Sequence, residues 1–265
     1  MPLITITSDW SKNDWYLPVL KGKLLGLYPS ASIVDISNSI RPFDIYQACF
    51  VLRHSYKSFP VGSIHILAVN SEPEPGHRIV AARKDGHYFV SVDDGRFPLL
   101  FDDLSQVCSF EVEQVGGGGT FKAADYFCRA VEGILSGREM KEGLLRAGGA
   151  EHAAVLPDKI TGRVVYIDSY GNAITNISKR DFLKVYEMAS QQGHIPDFTI
   201  YVGGPYLKFE DIHEGYNSVV QGNEVAFFNS LDLLEFAVNK GNFAAAEDVD
   251  PTTEVLVRFI KMKMI

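Results

Sequence analysis

The sequence predicts an α/β fold: a mostly parallel sheet flanked by helices in the N-terminal part, then a smaller strand-rich domain. Three observations carry this. Over the first seventy residues, short β-branched runs alternate with segments of helical period. One of those runs, Ser63–Val69, is apolar nearly throughout, as a strand covered on both faces must be. From Gly162 onward the pattern changes to short strand-like runs at close spacing.

The first strand is expected at Leu3–Thr7, with Asp9 beyond its C-terminal end. Asp14–Tyr28 reads as a helix with Trp15, Leu17, Val19, Leu20 and Leu24 as its apolar positions. Ser32–Ile36 is the second strand. Asp44–Tyr56 is the second helix, with Ile45, Ala48, Cys49 and Leu52 on one side. Phe59-Pro60-Val61-Gly62 breaks the chain before the apolar strand. Strands joined through helices imply right-handed crossovers. Arg78–Lys84 and Tyr88–Val92 then pair around the turn Lys84-Asp85-Gly86-His87. The glycine run Gly116–Gly119 reads as a loop feeding a helix at Ala124–Leu135, which Ser136-Gly137 ends. Arg138–Ile160, with Gly148-Gly149 and Pro157, reads as a connection, so the expected domains are 1–155 and 161–265.

In the second part, Arg163–Ile167 and Ala173–Ile177 flank the turn Ser169-Tyr170-Gly171-Asn172. Thr199–Val202, Glu224–Phe228 and Glu254–Phe259 are further expected strands, and Leu231–Asn239 a short helix. This spacing suits a small barrel or a sandwich.

Composition narrows the function. Hydrophobic residues make up 46% and charged residues 22% of the 265, enough for real cores. The net charge of −8, with no basic run, argues against nucleic acid and gives nothing to draw the chain to anionic lipid. No apolar run approaches the ~18–20 residues of a membrane span. The N-terminus lacks the basic start and apolar core of a secretory signal, so the expected location is cytoplasmic. Three cysteines (Cys49, Cys108, Cys128) form no Cys-x-x-Cys pair and fall among apolar residues, which fits buried free thiols. Seven histidines form no His-x-x-x-His pair, and His65 sits inside the apolar strand as a core residue. No metal site is expected. No Lys-Ser/Thr follows the glycine run, so it is not a P-loop.

Two places carry chemistry. Ligands of open α/β sheets bind beyond the carboxyl ends of the strands, and a carboxylate there, Asp9, suits a ribose diol. The competing reading makes Asp9 the cap of the helix starting near Asp14. The segment Ile167–Ile177 gathers Asp168, Tyr170, Asn172 and Asn176 around one turn. Turn chemistry accounts for Gly171 and Asn172, but less well for Asp168 and Asn176. An aromatic to stack on a base and amides to read its edge fit the same residues.

Here the chain resembles the S-adenosylmethionine hydroxide adenosyltransferases, relatives of the fluorinase and chlorinase. Thr7-Ser8-Asp9-Trp10 resembles the family's Thr-Asp-Phe-Gly element, and Tyr16 to Gly22 its Tyr-Val-Gly…Lys-Gly stretch. Val34-Asp35-Ile36-Ser37 and Pro42-Phe43-Asp44-Ile45 resemble the next block, and Phe59 to His65 the Phe-Pro-x-Gly-Thr-Val-His entry. Asp93-Asp94-Gly95 resembles Pro-Asp-Asn-Gly. Gly162 to Ile177, and Phe228-Asn229-Ser230 to Gly241-Asn242, resemble the C-terminal signatures. The matches keep their order along nearly the whole chain.

The resemblance implies an α/β domain followed by a β-barrel-like one, and a homotrimer whose site lies between one subunit's N-terminal domain and its neighbour's C-terminal domain. It implies S-adenosylmethionine as substrate, with no metal or further cofactor. Asp9 would hold the ribose hydroxyls and Phe43 would line the pocket, with Trp10 and Asp94 also among the substrate-binding residues. Asp168, Tyr170 and Asn172 would serve the methionine amine, adenine stacking and the adenine edge. Asn229 and Ser230 would lie by the methionine carboxylate.

The water-handling trio of the family is Asp-Arg-His. Its Asp opens a Val-Asp-Pro-Gly-Val-Gly motif; here the stretch runs from Val69-Asn70-Ser71-Glu72 to Gly76-His77-Arg78, with Asn70 at the Asp position and one extra residue before Arg78. Its His follows Thr-Phe; here Thr120-Phe121 is followed by Lys122. The implied trio is therefore Asn70, Arg78 and Lys122, with Glu72, Glu74 and His77 as candidates for a displaced acid–base group. Three readings follow: a hydrolase forming adenosine and methionine, a catalytically impaired adenosyl-ligand binder, and an enzyme using another anion such as halide as nucleophile.

Overall fold

The β-branched run at the N-terminus forms β1 (Leu3–Ser8), buried from Ile4 onward. In this computed structural model the described residues are 1–11, 13–72, 74–113, 119–149, 152–190 and 197–260. The chain divides into two compact units, Met1–Ala150 and Glu151–Ile265. Gly116, Gly117 and Gly118 of the glycine run lie outside the described residues.

The first unit continues with α1 (Tyr16–Leu27), β2 (Ser32–Ser37), α2 (Ile45–Arg53), β3 (Ile64–Ala68), β4 (Ile79–Lys84) and β5 (His87–Val92). It ends with α3 (Phe97–Leu100), β6 (Cys108–Glu111), α4 (Ala123–Leu135) and β7 (Lys141–Glu142). The sheet order is β2-β1-β3-β5-β4-β6-β7. The neighbours β2, β1, β3 and β5 are parallel, and only β4 and β7 run against the rest. The sheet is thus largely parallel, as expected.

Alternation along β3 explains why its sequence is apolar throughout. Ile64, Ile66 and Ala68 face a core shared with Leu17, Leu20 and Leu24 of α1 and Phe127 and Val131 of α4. Leu67 joins the opposite core with Ala48, Cys49 and Leu52 of α2. Successive strand residues point to opposite faces, and both faces carry helices. His65 is fully buried; its Nδ1 meets Thr5 Oγ1 at 2.7 Å and its Nε2 meets His87 Nδ1 at 3.1 Å. Burial pushes this imidazole down to about 3, so it is a neutral core residue. Among the cysteines, Cys49 and Cys128 are buried, Cys108 is half-buried, and all are free thiols. Burial lifts Cys49 to about 12 and Cys128 to about 11, which removes both as nucleophiles at neutral pH.

The second unit contains β8 (Ala154–Leu156), β9 (Lys159–Ile167), β10 (Ala173–Ser178), α5 (Lys179–Ser190), β11 (Asp197–Val202) and β12 (Leu207–Phe209). It continues with β13 (Glu224–Phe228), β14 (Leu233–Val238), α6 (Phe243–Ala246) and β15 (Glu254–Ile260). The order is β12-β11-β15-β9-β10-β14-β13, with β8 also on β9, and the sheet curls into a nearly closed, barrel-like form. The long β9 makes this possible: its first half pairs with β15 and its second with β10.

Two sequence expectations are corrected here. Leu231–Asn239 is not a helix but contains strand β14, paired to β13 and β10. Its residues alternate, with Leu234 and Phe236 facing the main core while Ala237 joins a small cluster with Val225 and Phe227. The reading Arg138–Ile160 as a plain connection also fails, because β7, β8 and the start of β9 fall within it. Helix α5 was not expected, yet Ser178 and Asp181 form a reciprocal cap: Ser178 Oγ donates to Asp181 Oδ2 at 2.7 Å and accepts the Asp181 N–H at 3.0 Å. The following Phe182, Val185 and Ala189 are its buried stripe.

Candidate functional site

Asp9 leaves the end of β1 with its carboxylate Oδ2 accepting two backbone N–H groups, from Phe43 at 3.0 Å and from Asn70 at 3.2 Å. Both donors have left-handed backbone, φ 66° for Phe43 and 45° for Asn70. A bulky residue such as phenylalanine rarely adopts that region, so Asp9 helps hold strained backbone at this sheet edge. Its Oδ1 takes no hydrogen bond among the described residues. The Phe43 ring is 73% exposed beside it. Asp9 does not cap α1, which has no side-chain cap bond.

Asn70 is gripped from its other side by Arg96, a fully buried residue that sequence reasoning passed over. Arg96 Nη1 donates to the Val69 carbonyl at 2.7 Å and to Ser91 Oγ at 3.1 Å, and Nη2 reaches the Asn70 carbonyl at 3.4 Å. Its Nε and Nη2 fork onto Asp94 at 2.8 and 2.6 Å. Burial alone would raise the Asp94 carboxyl, but the Arg96 hydrogen bonds and charge hold it below the usual range. Asp94 is thus joined to Asp9 through Arg96 and the Asn70 backbone.

Trp10 is buried and packs edge-on against Phe121, with ring centroids 5.2 Å apart. Phe121 delivers Lys122 to the start of α4. The carboxylate of Glu72, two residues after Asn70, accepts the Ala123 N–H of that helix at 3.0 Å. The segments 70–72 and 121–123 therefore both close on the end of β1. Arg78 is engaged elsewhere. Its Nε and Nη2 each lie 3.2 Å from Asp93 Oδ2, Nη1 is 3.0 Å from Glu111, and Nη2 also donates to the Leu144 carbonyl. Among the described residues no hydrogen bond joins any two of the Asn70, Arg78 and Lys122 side chains.

In the second unit the turn after β9 is organised by Asp168. Its Oδ1 accepts the N–H groups of Tyr170 and Asn172, both at 2.9 Å, and its Oδ2 accepts the Asn172 amide at 2.9 Å. The Tyr170 ring stands 76% exposed, an amphipathic face open to stacking. The Asn172 amide also reaches Tyr216 Oη at 3.4 Å; Tyr216 donates to Glu235 Oε1 at 2.6 Å, and Asn229 donates to Glu235 Oε2 at 2.8 Å. Asn229 Oδ1 meanwhile accepts the Leu231 and Leu233 N–H groups, fixing the β13–β14 turn on which Ser230 lies exposed. Asp168, Asn172 and Asn229 thus belong to one network, completed by Tyr216 and Glu235.

Glu235 is 3% exposed, and burial raises its carboxyl above the ordinary glutamate value. A carboxyl raised on folding contributes most below its unfolded value of about 4.3, and that contribution is lost as pH rises through the folded value. Glu235→Gln removes this loss, so the melting temperature of the variant relative to the parent is expected to climb between pH 4 and pH 7. A difference that stays flat or falls contradicts the assignment. Gly171 anchors the same turn at φ 84°, where an added Cβ would sit 2.1 Å from Asn242 Oδ1, the cap of α6. Gly171→Ala combines left-handed strain with overpacking and is expected to cost about 2–4 kcal/mol in urea unfolding.

Residues 4–143 match the family model for the SAM hydroxide adenosyltransferase N-terminal domain, and residues 162–256 that for its C-terminal domain. The chain belongs to the SAM hydroxide adenosyltransferase family. It is 31% identical over 193 residues to an (R)-S-adenosyl-L-methionine hydrolase of Methanocaldococcus jannaschii, covering 68% of each chain. A protein of the same name from Thermus thermophilus is 28% identical over 251 residues, covering 89% of this chain and 91% of its own. The fold is shared with an uncharacterized conserved protein from Thermotoga maritima, with a TM-score of 0.79 at 23% identity over 96% of this chain and 99% of that one.

Proposed function

We propose that the protein binds S-adenosylmethionine and hydrolyses it to adenosine and methionine. Water attacks the 5′ carbon in line with the sulfonium. The C5′–O bond forms as the C5′–S bond breaks, and its electron pair stays on sulfur, releasing neutral methionine thioether. A sulfonium is already a good leaving group, so the protein must chiefly align the reactants and strip solvent from them. The observation that carries this reading is Asp9: a carboxylate beyond the end of β1, pinned through one oxygen while the other takes no hydrogen bond among the described residues.

In this account Asp9 Oδ1 takes the ribose hydroxyls, and Phe43, Trp10 and the Asp94–Arg96 pair shape that end of the pocket. Asp168 takes the methionine amine, Tyr170 stacks on adenine, and Asn172 reads its edge. Asn229 and Ser230 serve the methionine carboxylate. Asn70, Arg78 and Lys122 occupy the water-handling positions. No metal or further cofactor enters the reaction. Self-association as a homotrimer and a cytoplasmic location are part of the same proposal; among the described residues no helix is long and apolar enough to cross a membrane. Light scattering checks the trimer.

A second reading, an adenosyl-ligand binder without turnover, draws support from Arg78, whose guanidinium is taken up by Asp93 and Glu111. Incubation with S-adenosylmethionine separates the two. Adenosine and methionine rising together above a protein-free control support the hydrolase; calorimetric binding without either product supports the binder. Turnover that requires added halide supports the third reading, an anion as nucleophile.

A further inference from the structure

We propose that Glu72 accepts the proton of the attacking water, with Lys122 orienting that water. The inference rests on the hydrolytic reading above. A water that becomes the 5′-hydroxyl of adenosine must lose one proton. The Asn70 side chain cannot take it, since an amide is not a base at neutral pH, and an ammonium at Lys122 only donates.

The carboxylates at this edge of the sheet differ in what already occupies them. Asp93 is fully buried, with one oxygen on Arg78 and the other accepting the Arg146 N–H. Asp94 is forked by Arg96 through both oxygens. Asp9 is pinned by the Phe43 and Asn70 backbones and assigned to the ribose. Glu72 is exposed and spends only Oε1, on the Ala123 N–H beside Lys122. Its Oε2 takes no hydrogen bond among the described residues. Glu74 and His77, the other candidates in this loop, have no side-chain hydrogen bond to the 121–123 segment among the described residues. Glu72 is therefore tied by one oxygen to the helix start that carries Lys122, two residues from the Asn70 backbone that meets Asp9.

The step balances: the water oxygen bonds to C5′, the C5′–S pair goes to sulfur, and the water proton goes to Glu72 Oε2 and then to solvent. Positioned general bases contribute about 100- to 10,000-fold.

The decisive variant is Glu72→Gln, whose amide oxygen still accepts the Ala123 N–H while losing the base. Expected is a kcat at least about 100-fold below the parent, KM within about threefold, an unchanged melting temperature, and loss of the acidic limb of the kcat–pH profile. Azide needs no deprotonation, so it should restore turnover in the variant and yield 5′-azido-5′-deoxyadenosine. Glu72→Ala, which loses the cap as well, should be rescued by azide in the same way. A Gln variant within threefold of the parent overturns the inference, as does a loss of turnover that azide leaves unrepaired. If the parent itself releases no adenosine, the hydrolytic reading fails and this inference falls with it; turnover in the parent with an unimpaired variant sinks this inference alone.

Discussion

Replacing Asp9 with alanine lowers kcat/KM for S-adenosylmethionine roughly 100- to 20,000-fold. The estimate follows from two hydrogen bonds between ribose hydroxyls and a charged acceptor, each worth about 1.5–3 kcal/mol. The same substitution strips the Phe43 and Asn70 N–H groups of their acceptor. Phe43 is exposed and Asn70 half-buried, so water can replace the lost oxygen and the cost in global stability should stay near 1–2 kcal/mol. The two effects separate experimentally. Isothermal titration with adenosine against 2′,3′-dideoxyadenosine reads the diol contact directly: the parent should prefer adenosine strongly, and the variant should bind both about equally. A variant that keeps the parent's preference would remove Asp9 from the ribose.

Arg96→Met is expected to cost about 3–5 kcal/mol of folding free energy, the range for breaking a buried ion pair by removing one partner. Arg96 is fully buried, and its loss takes the guanidinium from the Asp94 carboxylate and from the Val69 and Asn70 carbonyls, while Ser91 Oγ keeps its bond to the Leu67 carbonyl. Urea unfolding followed by circular dichroism reads the loss as a lower midpoint. Arg96→Lys keeps the charge but not the fork and should recover only part of it. Function should suffer beyond stability, because Arg96 holds the carbonyl of the residue whose N–H pins Asp9. At a temperature where the lysine variant is fully folded, its KM for S-adenosylmethionine should still exceed the parent's. A lysine variant with parental stability and KM would show that the fork positions nothing.

The parallel half of the first sheet was legible because its helices cover both faces, which writes an uninterrupted apolar run into Ser63–Val69. β14 was not legible because Leu231, Leu233, Leu234, Phe236, Ala237 and Val238 are too dense to show a period of two, and only pairing with β10 and β13 assigns their faces. Helix α5 was not among the expected elements, although its signal is present in Ser178 and Asp181, a cap followed by Phe182 and Val185. At the site, Asp9, Asp168 and Asn172 were legible from position and residue type. Arg96 was not legible because an arginine directly after Asp93-Asp94-Gly95 reads as a surface charge, and only the fold shows it fully buried. Tyr216 and Glu235 lie far along the chain from Asn172, and the pairing of Ile174 with Glu235 across β10 and β14 is what brings that glutamate to the turn. A sequence does not display such a register before the strands are paired.

The most direct test of the account is turnover of S-adenosylmethionine in water enriched in oxygen-18, with both products read by mass spectrometry. Adenosine should be heavier by one labelled oxygen, at the 5′ position, with unlabelled methionine released in equal amount. Unlabelled adenosine, or label in methionine instead, would contradict attack of water at the 5′ carbon.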